Sequence, residues 1–491
     1  MKNHRLWING QWQDGHGQKE ITFPFNGEKV AMAWQATDQQ MKEAIEASVT
    51  AFHQFRKTSR LARSRLLTIM VREIQNKKNE FVQCLILEAG KPKVMSEIEV
   101  NRAIATFTLA AENAKTFSGE VIPLDTDAAG RAFLPAVSVF VPRGPILAIT
   151  PFNFPLNLVA HKVAPALAVG APVLLKPPPQ APGCSVLLAE IFEEAVAEVN
   201  QETGGGTSGN KDFVPLAALQ VIHASNEVTS LAVKDPRMSV LSFTGSDKVG
   251  WWLQTQAQGK KTLLELGGNA AVIVHSDADL KRAAQRCANG GFSYAGQTCI
   301  SVQRIYAQEG IYEKFLLALK DEMALIKTGD PRLDGVLVGP VIDEGAAQRI
   351  SDWIEEAKKD GAQVFGGGRQ GKLLQPAILT GVKKQHKLNC EEVFGPVVIV
   401  EKYQSFDEAL SRVNESRFGL QAGVFTEDTR LIHRAFEILD VGGVIINEVS
   451  TYRADQMPYG GVKDSGLGRE GVRYAMEDYC ERKVLVQWKG F

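Results

Sequence analysis

The chain has 491 residues, 44% of them hydrophobic, and a formal net charge of −1 at pH 7. This length allows two or three domains with large cores, and the near-neutral charge excludes the broad basic surface of proteins that bind nucleic acid or anionic membranes. No apolar run approaches the roughly 18 residues of a membrane-spanning helix, so neither nucleic acid nor a membrane is expected as a partner.

The cysteines and the N-terminal segment indicate the cellular compartment in which the protein is expected. The six cysteines are scattered without a C-x-x-C pair, which excludes a zinc ribbon and argues against a disulfide framework. No metal site is expected. The segment MKNHRLWINGQWQDG lacks the apolar region of a secretory signal. A reducing, cytoplasmic location is therefore predicted.

Long helices are predicted between residues 38 and 118. Apolar residues at helical spacing mark residues 38–55, residues 61–90 and a third segment that runs through Ala114. Residues 119–141 then alternate apolar and polar side chains, which is typical of a protruding hairpin.

Short apolar segments alternate with helical patterns in the rest of the chain. The first group of predicted strands lies within residues 138–150, 171–177, 216–224, 239–245 and 261–267. A second group lies at residues 271–274, 304–308, 397–403, 422–426 and 442–447, with a last strand at 481–488. Strands buried on both faces and separated by helices predict an α/β fold with two doubly wound parallel sheets.

A rigid asparagine follows the first of these buried strands. Asn153 lies between Pro151 and Pro155, and the two prolines fix the backbone on both sides. An amide held beyond a strand end is a good hydrogen-bond donor to a developing oxyanion. Capping of the following helix by the same side chain is an equally open alternative.

A strand, a glycine turn and a helix start follow one another around Gly245 and Ser246. Backbone N–H groups at a helix N-terminus bind phosphate, and a serine hydroxyl there adds a donor. The segment is not a G-x-G-x-x-G, so it is weak evidence for a dinucleotide when taken alone.

One thiol and one carboxylate suit a two-stage reaction. Cys299 lies in the small-residue segment GQTC, and Glu265 precedes it in LELGGN. A thiolate can attack an electrophilic carbon, and a carboxylate can then activate water to release the product. An isolated cysteine of this kind is more often a buried packing residue.

Seven segments together resemble the aldehyde dehydrogenase superfamily, in the family's order and over nearly the whole chain from about Trp7. They are PFNFP (151–155), LLKP (174–177), FTGS (243–246), LELGGN (264–269), GQTC (296–299), EEVFGP (391–396) and MPYGGVKDSGLGRE (457–470). The resemblance implies that Cys299 is the nucleophile, that Asn153 and the Cys299 backbone N–H hold the oxyanion, and that Glu265 is the base that hydrolyses the thioester.

The resemblance also implies a domain organisation. Residues 1–118 and 142–263 would form a dinucleotide-binding domain, and residues 264–470 a catalytic domain. Residues 119–141 and 471–491 would form a β oligomerisation arm, so a homodimer or homotetramer is expected.

The cofactor implied by the resemblance is NAD or NADP. The matching positions are Thr150, Pro151, Phe152, Lys176, Gly245, Ser246, Leu266, Glu392 and Phe394. Without the motif, Lys176 would be a solvated lysine at a strand end. NAD-preferring members commonly have a glutamate where this chain has Pro179, so no carboxylate repels a 2′-phosphate and the prediction leans toward NADP or dual use.

The substrate implied is a small aldehyde, polar or anionic in character. His161, Arg453 and Tyr459 occupy positions at the mouth of the family's site, and Arg102 could reach the same pocket from a helix. A buried charge needs a partner, which an anionic substrate would supply. Thr298 stands where members that use phosphorylated three-carbon aldehydes often have arginine, which weakens that assignment.

These positions also have structural interpretations. Arg453 could form a surface salt bridge with Asp455 or Glu448, His161 could be a satisfied helix histidine, and Arg102 could lie on a solvated face.

Two other functions of the protein stay open, a CoA-acylating enzyme and a non-enzymatic binding or structural descendant of the family. The Gly/Ser-rich loop at residues 203–213 is interpreted as a flexible surface insertion with no assigned chemistry.

Overall fold

A computed structural model describes residues 2–202 and 211–490. Residues 203–210 of the Gly/Ser-rich loop lie outside the described residues. The helices are α1 (Asp38–Phe55), α2 (Arg60–Asn76), α3 (Lys78–Ala89), α4 (Lys93–Thr116), α5 (Asn157–Val169), α6 (Gly183–Glu202), α7 (Asn226–Lys234), α8 (Asp247–Gln256), α9 (Leu280–Phe292), α10 (Tyr312–Ala324), α11 (Glu344–Lys359), α12 (Lys387–Cys390), α13 (Phe406–Asn414), α14 (Thr429–Ile438) and α15 (Val472–Asp478).

Most of the strands are short. They are β1 (Lys2–His4), β2 (Leu6–Ile8), β3 (Gln11–Gln13), β4 (Gly17–Thr22), β5 (Lys29–Gln35), β6 (Glu120–Ile122), β7 (Ala136–Pro142), β8 (Ile146–Ile149), β9 (Val173–Lys176), β10 (Leu219–Val221), β11 (Val240–Thr244), β12 (Lys261–Glu265), β13 (Ala270–Val274), β14 (Val302–Gln308), β15 (Lys327–Thr328), β16 (Val336–Val338), β17 (Gln363–Gly366), β18 (Arg369–Gln370), β19 (Leu373–Leu374), β20 (Ala377–Thr380), β21 (Val397–Tyr403), β22 (Phe418–Gly419), β23 (Gln421–Phe425), β24 (Gly443–Ile446), β25 (Val462–Lys463), β26 (Gly466–Leu467) and β27 (Cys480–Leu485).

The larger sheet is doubly wound around a parallel centre. Within the described residues its strand order is β26-β12-β11-β8-β9-β10-β2-β3, and the five strands from β12 to β10 pair in parallel. Helices α2 to α6 and α15 pack on one face, while α1, α7 and α8 pack on the other. Because both faces are covered, strands such as ILAI and VLSFT are buried along their whole length and do not alternate.

A smaller sheet repeats this plan in the second half of the chain. Its order within the described residues is β17-β20-β21-β14-β13-β23-β24, with β17 the antiparallel edge. One face is covered by α9, α10 and α11, and the other by α13 and α14. The predicted α/β fold with two doubly wound sheets is therefore confirmed.

The predicted hairpin and the last strand form a third, small sheet. β6 pairs with β7, and β7 pairs with β27, both antiparallel. The arm is narrower than the sequence analysis assigned to residues 471–491, because Val472, Ala475 and Met476 of α15 lie in the core of the larger sheet. Within the described residues 471–490, Cys480–Leu485 form the strand that pairs with β7.

One predicted helix is in fact two. Ile74 and Phe81 keep a helical spacing across the polar run QNKKNE (residues 75–80), but the structure ends α2 at Asn76 and begins α3 at Lys78. Lys77 between them has φ −94° and ψ 17°, outside the helical region. The break falls within this polar run, which the prediction of a single helix spanned because Ile74 and Phe81 lie about two helical turns apart. None of the helices in the described part of the chain has the length and apolar character needed to cross a membrane.

Candidate active site

The carboxyl ends of neighbouring parallel strands meet at one edge of the larger sheet. β8 leads to Asn153, β9 ends at Lys176, β11 leads to Ser246, and β12 ends at Glu265. A cavity of about 600 Å³ lies beside this edge, and Cys299 lines it from the smaller-sheet side. In open parallel sheets, ligands bind beyond the carboxyl ends of the strands.

Cys299 follows a tight turn between α9 and β14. Tyr294 and Ala295 have φ values of 53° and 54°, which are uncommon for residues with a side chain. Gly296 continues the turn at φ 67°, and a Cβ there would lie 2.1 Å from the carbonyl oxygen of Gly395. The turn therefore packs directly against the loop that follows α12, and this packing fixes the thiol at the cavity wall.

The thiol is largely buried among apolar neighbours. Its Sγ lies 3.0 Å from the Tyr459 hydroxyl, and Ile300 and Leu420 pack around it. Burial raises the pKa of Cys299 to about 12, although the hydrogen bond with Tyr459 acts in the opposite direction. In this conformation the thiol is protonated at neutral pH.

Asn153 reaches across to the segment that carries the thiol. Its Nδ2 donates to the carbonyl oxygen of Gln297 at 3.0 Å, and an amide NH₂ has a second hydrogen to donate. The side chain does not cap α5. The backbone N–H groups of Leu156 and Asn157 instead donate to the carboxylate of Glu99, at 2.9 and 3.1 Å. The helix-capping interpretation of Asn153 is thereby excluded.

Glu265 and Glu470 share one buried neighbourhood but differ in their protonation. Burial raises the pKa of Glu265 well above its usual value, and the negative charge of Glu470 adds to this effect. Burial alone would do the same to Glu470, but Lys162 at 3.1 Å and Arg453 at 2.9 Å lower its pKa to about 2. Glu470 is therefore ionised at neutral pH, whereas burial and the charge of Glu470 favour the protonated form of Glu265.

Most of the positions assigned to a dinucleotide line the cavity. They are Pro151, Phe152, Gly245, Ser246, Leu266, Glu392 and Phe394. The Glu392 carboxylate accepts a hydrogen bond from the Gly268 N–H at 2.9 Å, and burial raises its pKa to about 7. Phe152 and Phe394 meet edge to face with ring centroids 6.0 Å apart.

Three of the assigned positions, Thr150, Ser246 and Lys176, present polar groups. Among the described residues the buried Thr150 hydroxyl has no hydrogen-bond partner, and the Ser246 side chain makes no capping hydrogen bond to α8. Lys176 lies outside the cavity lining, and its pKa is lowered to about 8 by burial and by the charge of Lys19. Uncommitted hydroxyls and a buried lysine beyond strand ends fit the phosphate and ribose groups of a dinucleotide.

The four residues assigned to the substrate fall in two places. Arg102, Arg453 and Tyr459 line the cavity, and the Arg453 guanidinium lies 3.7 Å from the centroid of the Tyr459 ring. His161 is completely buried and does not line the cavity. Burial, with the charge of Arg453, lowers its pKa to about 4, so the ring is neutral at pH 7.

Asp455 joins His161 to Arg102. One carboxylate oxygen lies 2.9 Å from His161 Nε2 and 2.6 Å from Arg102 Nη2. His161 therefore reaches the cavity only through Asp455 and Arg102. Arg453 is not a surface residue and pairs with Glu470, so neither expected salt bridge forms. Glu448 instead pairs with another cavity-lining residue, Arg286.

Sequence reasoning missed three charged residues of the site. Lys162 and Glu470 form the buried pair behind Glu265, and Arg286 lines the cavity from α9. Glu470 could have been identified from the sequence, because it is the last residue of the MPYGGVKDSGLGRE segment. Arg286 lies on α9 among other polar residues, and Lys162 lies on the apolar helix α5. Neither sequence pattern shows the direction in which the side chain points.

Comparisons with known proteins agree with this arrangement. A sequence model of the Aldehyde dehydrogenase family matches residues 12–485. The chain is 38% identical to a 3-sulfolactaldehyde dehydrogenase of Priestia aryabhattai, over 99% of this chain and 98% of that one. It is 35% identical to a lactaldehyde dehydrogenase of Methanococcus maripaludis, over 98% and 99% of the two chains.

Two solved structures have the same architecture. Aldehyde dehydrogenase 21 from Physcomitrella patens, in complex with the reaction product succinate, has a TM-score of 0.94 and 38% identity, and the match covers 99% of this chain and 98% of that one. An NADP-dependent glyceraldehyde-3-phosphate dehydrogenase from Bacillus halodurans, complexed with NADP, has a TM-score of 0.93 and 30% identity over the full length of both chains.

Proposed function

Because the chain belongs to the aldehyde dehydrogenase family, we propose that Cys299, Asn153 and Glu265 together oxidise a small polar or anionic aldehyde to its carboxylate. The observation that carries the proposal is the single cavity that these three side chains line together with Glu392 and Phe394. A thiol, an amide donor and a carboxylate around one space are the groups that this chemistry needs.

The first stage forms a covalent bond to sulfur. The Cys299 thiol loses its proton to water, and the sulfur bonds to the carbonyl carbon as the C=O π bond breaks, so the carbonyl oxygen becomes an oxyanion. The free hydrogen of the Asn153 amide and the Cys299 backbone N–H stabilise this charge. A nicotinamide dinucleotide, when bound, would supply the hydride acceptor that converts the adduct into a thioester. Lys176, Ser246, Glu392 and Phe394 are the residues that would hold it.

The second stage releases the acid. Glu265, once deprotonated, takes a proton from water, and the water oxygen adds to the thioester carbon. The carbon–sulfur bond then breaks, and the thiolate recovers a proton. Glu470 stays ionised between Lys162 and Arg453, so its charge keeps the pKa of Glu265 high and limits the base to higher pH.

The cofactor is NAD or NADP, and NADP or dual use is the finer proposal. Pro179 places no carboxylate beside Lys176, and the positive charge of Lys19 is close enough to lower the pKa of that lysine. Two positive charges without a carboxylate favour a 2′-phosphate.

The proposed location of the protein is a reducing compartment such as the cytoplasm, because the reaction depends on a free thiol.

The chain is further proposed to form a homodimer or homotetramer through the β6–β7–β27 sheet. Val121, Val137 and Leu485 are cross-strand partners on one face of this sheet, and each is exposed. β27 has a strand on one side only, which leaves an edge that a second copy could cover.

The substrate proposal rests on the charges at the cavity. Arg102, Arg286 and Arg453 all line it, and the relatives named for sulfolactaldehyde and lactaldehyde point to small polar substrates. A screen of carboxylated, sulfonated, phosphorylated and hydroxylated small aldehydes with both cofactors would rank them by kcat/KM. Highest activity with long apolar aldehydes would contradict the proposal.

One assay separates hydrolysis from the alternatives. NAD(P)H absorbance is followed with and without CoA, for the wild type and for Cys299→Ala. Hydrolytic oxidation predicts turnover that needs no CoA and is lost in the variant. A CoA requirement would indicate the acylating enzyme, and no turnover with any aldehyde would indicate a non-enzymatic protein.

A further inference from the structure

A completely buried ion pair lies behind the two reactive loops, which are the PFNFP loop that carries Asn153 and the turn that precedes Cys299. Lys91, in the turn between α3 and α4, donates to the carboxylate of Glu99 on α4, and both side chains have an exposure of 0%. Neither residue lines the cavity. Burying two charges carries a large desolvation cost, so their contacts need an explanation beyond stability.

Glu99 holds the loop that carries Asn153. One carboxylate oxygen binds Lys91, and the other accepts hydrogen bonds from the N–H groups of Leu156 and Asn157. These are charge-assisted bonds to the two residues at the start of α5. They fix the end of the PFNFP loop three residues beyond Asn153.

Lys91 touches one aromatic ring from each reactive loop. Its ammonium lies 3.5 Å from the ring centroid of Phe154 and 4.6 Å from that of Tyr294. Phe154 is the neighbour of Asn153, and Tyr294 belongs to the left-handed turn that precedes Cys299. The two rings are perpendicular, with centroids 6.3 Å apart, so one cation holds both by cation–π contacts.

We propose that Lys91 and Glu99 are positioning residues that set the distance between the oxyanion-binding amide of Asn153 and the sulfur of Cys299. The pair ties the two loops to the helical layer behind the sheet and touches neither substrate nor cofactor. This inference rests on the proposed roles of Asn153 and Cys299. A misplacement of about 1 Å costs on the order of 10²-fold in rate.

The test compares Lys91→Met with the wild type by stopped-flow measurement of the NAD(P)H burst. We expect the burst rate constant to fall about 10- to 100-fold, with the Kd for the cofactor changed by less than about twofold because no cofactor contact is lost. Burst amplitude reports the fraction of folded, active sites, so partial unfolding lowers the amplitude and leaves the rate constant alone.

A double-mutant cycle with Asn153→Ala separates positioning from general damage. If Lys91 acts through Asn153, adding Lys91→Met to Asn153→Ala slows the burst by less than about threefold further. The inference would be overturned if the two substitutions slowed the burst independently, so that their fold-changes multiplied in the double variant. It would also be overturned if Lys91→Met left the burst rate constant unchanged. If the wild-type protein forms no NAD(P)H with any aldehyde, or if Cys299→Ala retains turnover, the proposed function itself has failed.

Two more variants complete the experiment. Lys260→Met is the matched control, since Lys260 is a half-buried lysine that donates to the carbonyls of Asp235 and Met238 at the opposite edge of the same sheet; its burst should stay within about twofold of wild type. Should Lys91→Met fail to fold, Glu99→Gln removes the charge but keeps an acceptor for the α5 N–H groups. A wild-type burst rate in Glu99→Gln also overturns the inference.

Discussion

Glu265 and Glu470 share one buried pocket, but their different neighbours give the two carboxyl groups different protonation behaviour and different roles. Lys162 and Arg453 keep Glu470 ionised, and the charge of Glu470 helps to keep Glu265 protonated. A protonated carboxyl cannot accept a proton from water, so Glu265 becomes a base only as pH rises through its raised pKa. Hydrolysis should therefore become faster as pH rises through this range.

Glu265→Gln tests this assignment. We expect the hydride burst to persist while steady turnover falls by about 10²-fold, because general-base catalysis is lost in the second stage alone. The rise of wild-type turnover with pH should be absent from the variant. Stopped-flow and steady-state rates across a pH series measure both effects, and equal loss of burst and turnover would argue against a deacylation role.

The reactivity of Cys299 should follow its raised pKa. Since the thiolate is the nucleophile, alkylation by iodoacetamide should accelerate about tenfold per pH unit between about pH 7 and pH 9. Mass spectrometry of the labelled peptide gives the rates, and Cys390→Ser removes the exposed cysteine as a competing target. A rate that is already constant at neutral pH would show that the thiol is ionised in solution.

Arg453 is expected to favour anionic substrates. Arg453→Ala removes a positive charge from the cavity wall, so KM should rise by about tenfold for a carboxylated aldehyde and less for a neutral one. Steady-state kinetics with a matched pair of aldehydes measures the difference. Because the charge of Arg453 also lowers the pKa of Glu265, its loss should reduce kcat for both substrates at neutral pH, and an equal change in the two KM values would remove Arg453 from the substrate site.

At the scale of elements, the turn before Cys299 depends on one glycine. Gly296→Ala places a methyl group at φ 67° and against the Gly395 carbonyl oxygen, which costs at least about 1–2 kcal/mol from the left-handed backbone alone. We expect lower stability in chemical denaturation and a slower burst, since the thiol moves with the turn. Gly310→Ala is the control, because a Cβ there meets no atom within 4 Å.

The sequence predicted the five parallel strands of the larger sheet and β13, β14, β21, β23 and β24 of the smaller one, but not β2, β3, β17, β20 or β26. Runs such as ILAI and AAVIV have no polar positions to confuse the pattern, and the structure buries them along their whole length. The break at Lys77 and the docking of α15 on the larger sheet depend on tertiary contacts, which apolar spacing does not encode. In the cavity, motifs identified Cys299 and Glu265, whereas Lys162 became visible only once α5 was packed against Glu470.

At the scale of the whole molecule, the small arm sheet should determine assembly. Val137→Glu places a charge at the centre of the apolar row between Val121 and Leu485, and a buried charge without a partner opposes association. Light scattering should show a smaller particle than for wild type. Leu325→Glu is the control at an exposed residue on another part of the surface, and an unchanged mass for Val137→Glu would exclude this face as the interface.

The pairing of β26 with β12 has a consequence for biosynthesis. The hydroxyl beside the Cys299 sulfur and the carboxylate beside Glu265 come from Tyr459 and Glu470, although Cys299 and Glu265 lie far upstream of them. A ribosome must therefore have translated residue 470 before the thiol and Glu265 have both of these neighbours. A nascent chain that stops short of this residue holds an incomplete centre.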